Sequence, residues 1–190
     1  MEGKIIVVGT STGGLSALQV LLPGLSEEFP SALVVVQHRS KEQGSRLCDF
    51  LQKSSRLPVG EPEDKEPILH GRVYLAPRDY HLLIEEGSFA LSTEAPVYFA
   101  RPSIDVLFES AADAYGERVV GVILTGANGD GARGLARIKA AGGLAVVQEP
   151  STAQAREMPL AAISATSVDH ILPLGEMAPF LNDLCHPLAR

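Results

Sequence analysis

Short apolar runs bounded by turn residues recur along the chain, and most alternate with segments of helical spacing. Ile5-Ile6-Val7-Val8 predicts a buried strand, Gly9 to Gly14 a sharp reversal, and Leu15-Ser16-Ala17-Leu18-Gln19-Val20-Leu21-Leu22 a helix. Pro23-Gly24 and Phe29-Pro30 then mark turns before Ala32-Leu33-Val34-Val35-Val36-Gln37, a second buried strand that ends just before His38. Residues 5 to 37 therefore predict one β-α-β unit. Leu47, Phe50 and Leu51 place a helix within residues 43 to 53, and Val73-Tyr74-Leu75 reads as a strand. The runs on either side of Glu85-Glu86-Gly87 read as a hairpin.

From Ser103, with Pro102 before it, Ile104, Leu107, Phe108 and Ala111 mark one face of a helix that leads to the strand Val119-Val120-Gly121-Val122-Ile123-Leu124. Gly126 to Gly131 predict a turn, Ala132 to Ala141 a short helix stopped by Gly142-Gly143, and Leu144-Ala145-Val146-Val147 a further strand. This order predicts an α/β fold of three αβα layers. Its sheet is doubly wound and largely parallel, with a local antiparallel hairpin.

Composition narrows the functional classes. With 190 residues and 45% hydrophobic content, one substantial core is expected, and no break in composition argues for a second domain, so residues 1–190 read as one domain. The net charge of -7 and an aromatic content of 5% without Trp disfavour nucleic acid and anionic membrane surfaces. No apolar run reaches the length of a membrane span and no signal peptide precedes the first strand, so a cytoplasmic location is expected. Cys48 and Cys185 are far apart and read as small core or surface residues, and neither a metal nor a cofactor is expected. Charge is uneven: residues 38 to 56 carry Arg39, Lys41, Arg46, Lys53 and Arg56 against Glu42 and Asp49, whereas residues 61 to 66 are acidic and read as an exposed loop.

Polar groups that follow buried strands of an open α/β sheet gather at its carboxyl edge, where such folds place their sites. Three strand ends supply them here: Ser11, His38 and the loop Gly126-Ala127-Asn128-Gly129-Asp130-Gly131. Gly9-Thr10-Ser11-Thr12-Gly13 matches G-x-S-x-G, in which a sharp turn lifts a serine oxygen clear of the sheet and leaves backbone N–H groups free for an oxyanion. Serine, histidine and aspartate together are what acyl transfer needs: an attacking oxygen, a proton carrier and a carboxylate that holds the imidazole. Each has a plainer reading too. Ser11 could cap the helix after it, Asp130 stands where an N-cap is favoured before Ala132, and His38 could be a polar strand terminus. His70, His81, His170 and His186 receive no role. Strand, glycine turn, helix and second strand also outline a dinucleotide site, with Arg39 placed for a 2′-phosphate; that NADP-binding reading leaves Asp130 unexplained.

At these residues the sequence resembles the catalytic domain of the chemotaxis protein-glutamate methylesterases, the CheB-type family. Val8-Gly9-Thr10-Ser11-Thr12-Gly13-Gly14, Val36-Gln37-His38, Val73-Tyr74-Leu75-Ala76-Pro77, Arg101-Pro102-Ser103-Ile104-Asp105-Val106-Leu107-Phe108 and Gly121-Val122-Ile123-Leu124-Thr125-Gly126 stand in the family's order. Asp130-Gly131-Ala132 and Met158-Pro159-Leu160-Ala161-Ala162-Ile163 continue it. The resemblance implies hydrolysis of glutamyl γ-methyl esters on chemoreceptor helices, with methanol released, and deamidation of receptor glutamines. It implies Ser11 as nucleophile, His38 as general base and acid, and Asp130 as the orienting carboxylate, with the amides of Thr12 and Ala127 as expected oxyanion donors. Ala127 stands where the family usually has methionine, and Asn128-Gly129-Asp130 replaces its Asn-Asp pair. The chain starts at the catalytic strand without the receiver domain of typical members, so it is expected to act alone, either as a single-domain esterase or as a piece of a larger signalling protein, with a separate receiver or signalling protein as a further candidate partner; a monomer is expected. Arg39, Lys41 and Arg46 are expected to help dock an acidic receptor helix. A catalytically silent interaction module of the same fold is a further alternative.

Overall fold

A computed structural model describes residues 3–38 and 46–186. Strand β1 (Ile5–Thr10) is buried along its whole length and pairs in parallel with β2 (Ala32–Gln37) on one side and β7 (Val119–Ile123) on the other. Beyond β2 come β4 (Val73–Leu75) and the two-residue β3 (Val59–Gly60); beyond β7 come β8 (Leu144–Gln148) and β9 (His170–Leu172). All seven run parallel, in the order β3-β4-β2-β1-β7-β8-β9. The chain therefore winds away from β1 in both directions, which makes the carboxyl edge beside β1 the topological switch point.

Alternation of side chains along each strand divides the apolar core into two halves. Val7, Val34, Ile123 and Val147 face one layer, made of α3 (Ile104–Tyr115), α4 (Ala132–Ala140) and α5 (Glu157–Ala165). Val8, Val35, Val122 and Val146 face the other, made of α1 (Gly14–Leu21), α2 (Leu47–Gln52) and α6 (Leu174–Cys185). Both faces of the sheet are covered, which is why its strands read as unbroken apolar runs. The predicted hairpin is present as β5 (His81–Glu85) and β6 (Ser88–Ser92), a separate antiparallel sheet packed on α3.

Several boundaries and caps differ from the sequence reading. The strand expected to run to Leu124 ends at Ile123, although the Leu124 amide still donates to the Gly9 carbonyl at 2.9 Å. Of the helix sought within residues 43 to 53, the described part covers Leu47–Gln52. Asp130 does not cap the helix that follows it: the N-cap is Gly131, at φ 95°, and that helix has no side-chain capping bond. Likewise the N-cap of α1 is Gly13, at φ 80°, and Ser11 makes no capping bond to that helix.

Candidate active site

The three sequence candidates stand after three adjacent strands. Thr10 and Gln37 are register partners at the ends of β1 and β2, so Ser11 and His38 leave the sheet side by side. The turn is tied from several sides. The Ser11 amide donates to the Thr125 carbonyl at 2.9 Å, the Thr10 hydroxyl donates to the same oxygen at 2.8 Å, and the Thr125 hydroxyl donates to the Thr12 carbonyl at 2.8 Å. On the other side the His38 amide donates to the Thr10 carbonyl at 3.0 Å. Gln37 Nε2 bridges the carbonyls of Ser11, at 3.0 Å, and His38, at 2.7 Å. The Ser11 turn and the His38 backbone are thereby held as one piece.

The Asp130 carboxylate is fully buried and saturated with donors. Oδ2 accepts from His38 Nε2 at 2.7 Å and from the Ile104 amide at 2.8 Å; Oδ1 accepts from the Ser103 hydroxyl at 2.9 Å and the Asp105 amide at 3.0 Å. Two of these donors are first-turn amides of α3, where the helix dipole also favours an anion. Burial pushes the Asp130 carboxyl up, but the His38 hydrogen bond and the Asp105 and Ile104 amides outweigh it and leave the group below its ordinary value. Asp130 thus caps a helix after all, one that begins 26 residues earlier in the chain.

The His38 side chain is 11% exposed and its tautomer follows from that contact. With Nε2–H donated to Asp130, the neutral ring keeps its lone pair on Nδ1. Among the described residues no hydrogen bond joins Ser11 Oγ to the ring, so the structure brings His38 and Asp130 into contact and Ser11 only alongside. Free enzymes often hold the nucleophile more loosely than substrate complexes do. Thr12 and Ala127 are exposed, and neither amide donates a hydrogen bond among the described residues. Arg46 is exposed just before α2, whereas Arg39 and Lys41 lie outside the described residues.

Sequence reading passed over three supports of this site. Ser103 both caps α3 and donates to Asp130. His81, 1% exposed, accepts the Ser103 amide on Nδ1 at 3.2 Å and reaches the Ala95 carbonyl through Nε2 at 3.1 Å, fixing where α3 starts. Asp105 accepts the amides of Gly131, at 3.0 Å, and Gly134, at 2.7 Å, through Oδ1. The two acids are therefore clasped: Asp130 takes the Asp105 amide while Asp105 takes the amide after Asp130. Burial pushes the Asp105 carboxyl up, against the Gly134 amide that bonds its charged form, and the Asp130 charge adds to the rise. Only the run Pro102-Ser103-Ile104-Asp105 at a helix start hinted at these roles. Asp105→Ala strands two buried amides and should cost about 2–4 kcal/mol in urea unfolding, whereas Asp105→Asn keeps the accepting oxygen and should cost less than about 1.5 kcal/mol.

A family model described as CheB methylesterase matches residues 6–181. A provisionally named protein-glutamate methylesterase/protein-glutamine glutaminase of Leptospira interrogans is 48% identical over 179 residues, covering 94% of this chain and 93% of its own. The protein-glutamate methylesterase/protein-glutamine glutaminase 2 of Anaeromyxobacter dehalogenans is 41% identical over 181 residues, covering 95% of this chain but 53% of its own length. The chain thus spans nearly all of one relative and about half of the other. The crystal structure of the Thermotoga maritima CheB methylesterase catalytic domain superposes with a TM-score of 0.92 at 34% identity, covering 97% of this chain and 100% of that one.

Proposed function

The chain belongs to the CheB methylesterase family, and we propose that it hydrolyses glutamyl γ-methyl esters on the cytoplasmic helices of chemoreceptors, and deamidates receptor glutamines by the same acyl transfer. In this reading Ser11 Oγ attacks the ester carbonyl while His38 Nδ1 takes its proton, and Asp130 stabilises the imidazolium through Nε2–H. The amides of Thr12 and Ala127 receive the negative charge that develops on the carbonyl oxygen. Methanol leaves with the proton returned by His38, and a water, deprotonated by the same ring, releases the glutamate carboxylate. Amide substrates differ only in the leaving group, ammonia. The observation that carries the proposal is the buried, four-donor Asp130 bonded to an imidazole beside the G-x-S-x-G turn. Methanol release from methylated receptor membranes, run in parallel with labelling of Ser11 by a serine-directed phosphonate, tests it. A protein that releases no methanol and takes no label on Ser11 overturns it.

We also propose that Arg39, Lys41 and Arg46 draw in an acidic receptor surface, on the strength of the basic run that follows His38 in an otherwise acidic chain. KM on the receptor should then rise with ionic strength and on neutralising the three together, by about three- to tenfold. A KM indifferent to both changes removes this role.

A further inference from the structure

Val97 and Ala100 exchange both backbone hydrogen bonds, at 3.0 and 2.8 Å, and so close a two-residue hairpin turn over Tyr98 and Phe99. Both central residues have left-handed backbones, φ 48° at Tyr98 and 61° at Phe99. Turns with positive φ at both positions are normally filled by Asn-Gly or Gly-Gly, because a side chain there crowds its own carbonyl. Two aromatic residues are a strained choice. Burial does not offset that strain within this chain, since Phe99 is 103% exposed and Tyr98 54%. The rings are therefore held out by a turn that a smaller pair would form more readily.

What they border is the candidate site. Tyr98 and Phe99 line a cavity of about 320 Å³ together with His38, Arg101 and Asn128. The base of the hairpin is braced: Arg101 Nη1 donates to the carbonyls of Thr93, at 2.8 Å, and Glu94, at 3.0 Å, and the next residues, Pro102-Ser103, lead into the helix that holds Asp130. No carboxylate among the described residues pairs with the Arg101 guanidinium. The cavity thus has an aromatic rim, and its lining joins His38 to the cations Arg78 and Arg101 and one carboxylate, Asp79.

We propose that the Tyr98-Phe99 tip is the docking element for the protein substrate: the two rings cover an apolar side chain of an amphipathic receptor helix, next to an acidic residue that faces Arg101, while the esterified glutamate enters beside His38. This rests on the esterase reading above. Continuity of the rings with the cavity that holds His38 argues for the substrate as the occupant, and a rigid aromatic at an exposed tip offers large contact area at little conformational cost.

The test is the double variant Tyr98→Asn/Phe99→Gly, which removes the rings and supplies the residues the turn prefers. Its kcat/KM on methylated receptor, divided by that on a small glutamate γ-methyl ester, should fall at least about tenfold, while its Tm rises. Tyr98→Phe, which keeps both rings, should hold the ratio within about twofold. An unchanged ratio in the double variant overturns the proposal, as does a lowered Tm, which would make the rings packing elements of the fold. Sedimentation that finds a wild-type dimer dissolved by the double variant also overturns it, assigning the tip to a second copy of the chain. A wild type silent on both esters removes the esterase reading itself and the proposal with it; an active wild type with an unmoved ratio removes the proposal alone.

Discussion

Ser11→Ala should lower kcat for methanol release from methylated receptor membranes by at least about 10⁴-fold while leaving the Tm within a degree or two. The size of the loss follows from the role: without Oγ there is no acyl-enzyme, and what survives is the binding and oxyanion stabilisation of a site that no longer has an attacking atom. The near-silence in stability follows from the surroundings. Ser11 is half-buried, its turn is held by backbone bonds from its own amide and carbonyl, and its hydroxyl makes no hydrogen bond among the described residues. Alanine therefore empties no packed space and strands no partner. Retained methanol release in a folded Ser11→Ala protein would remove the serine from the mechanism, whatever the fate of its neighbours.

Asp130→Asn should be costly twice over, in rate and in stability. Four donors converge on the carboxylate, and an amide of the same shape must turn an N–H toward at least one of them. If Nδ2 takes the place of Oδ2, it faces both His38 and the Ile104 amide: the ring loses its acceptor and with it the tautomer that leaves Nδ1 unprotonated, for a loss of about 10²- to 10⁴-fold in kcat, and a first-turn amide of α3 is stranded. If Nδ2 takes the place of Oδ1, the Asp105 amide is stranded, the helix start is disturbed and the unfolding free energy falls by about 2–4 kcal/mol.

The pH dependence separates this from a generic core defect. The Asp130 carboxyl lies below its ordinary value in the folded protein, so it binds protons less readily there than in the unfolded chain. Its contribution is complete above about pH 4, the unfolded carboxylate range, and is lost as pH falls through the folded value. The urea stability gap between wild type and Asp130→Asn should therefore be widest near neutrality and narrow at acid pH. A gap that stays constant down to about pH 3 would deny the ionised carboxylate its structural role.

The positions of Ser11, His38 and Asp130 at the ends of neighbouring strands were legible because each follows a run of buried apolar residues, and polar groups there have only the carboxyl edge to occupy. The α1 turn was legible for the same local reason. What Asp130 does was not: an aspartate two residues before a helix reads as its N-cap, and only the approach of α3 supplies the better donors. His81 was passed over because its value lies in holding the Ser103 amide, a contact made across 22 residues. Tyr98 and Phe99 read as ordinary hydrophobic residues until the backbone places them at an exposed turn. The two-residue β3 and three-residue β9 are too short to leave a period in the sequence, and Pro179 interrupts the helical pattern of α6.

By itself the sequence determined the alternation of strands and helices, the parallel sheet it requires, and the chemistry of the three strand ends, because periodicity and turn residues act over a few positions. Tertiary structure alone decided that Asp130 serves α3 and His38 instead of its own helix, that Nε2 is the ring nitrogen Asp130 holds, and that two aromatic rings stand exposed in the lining they share with the imidazole. Each of these depends on which donors and surfaces meet across the sheet edge. That meeting is set by how α3 packs on the strands, a long-range outcome of core burial that no local pattern encodes.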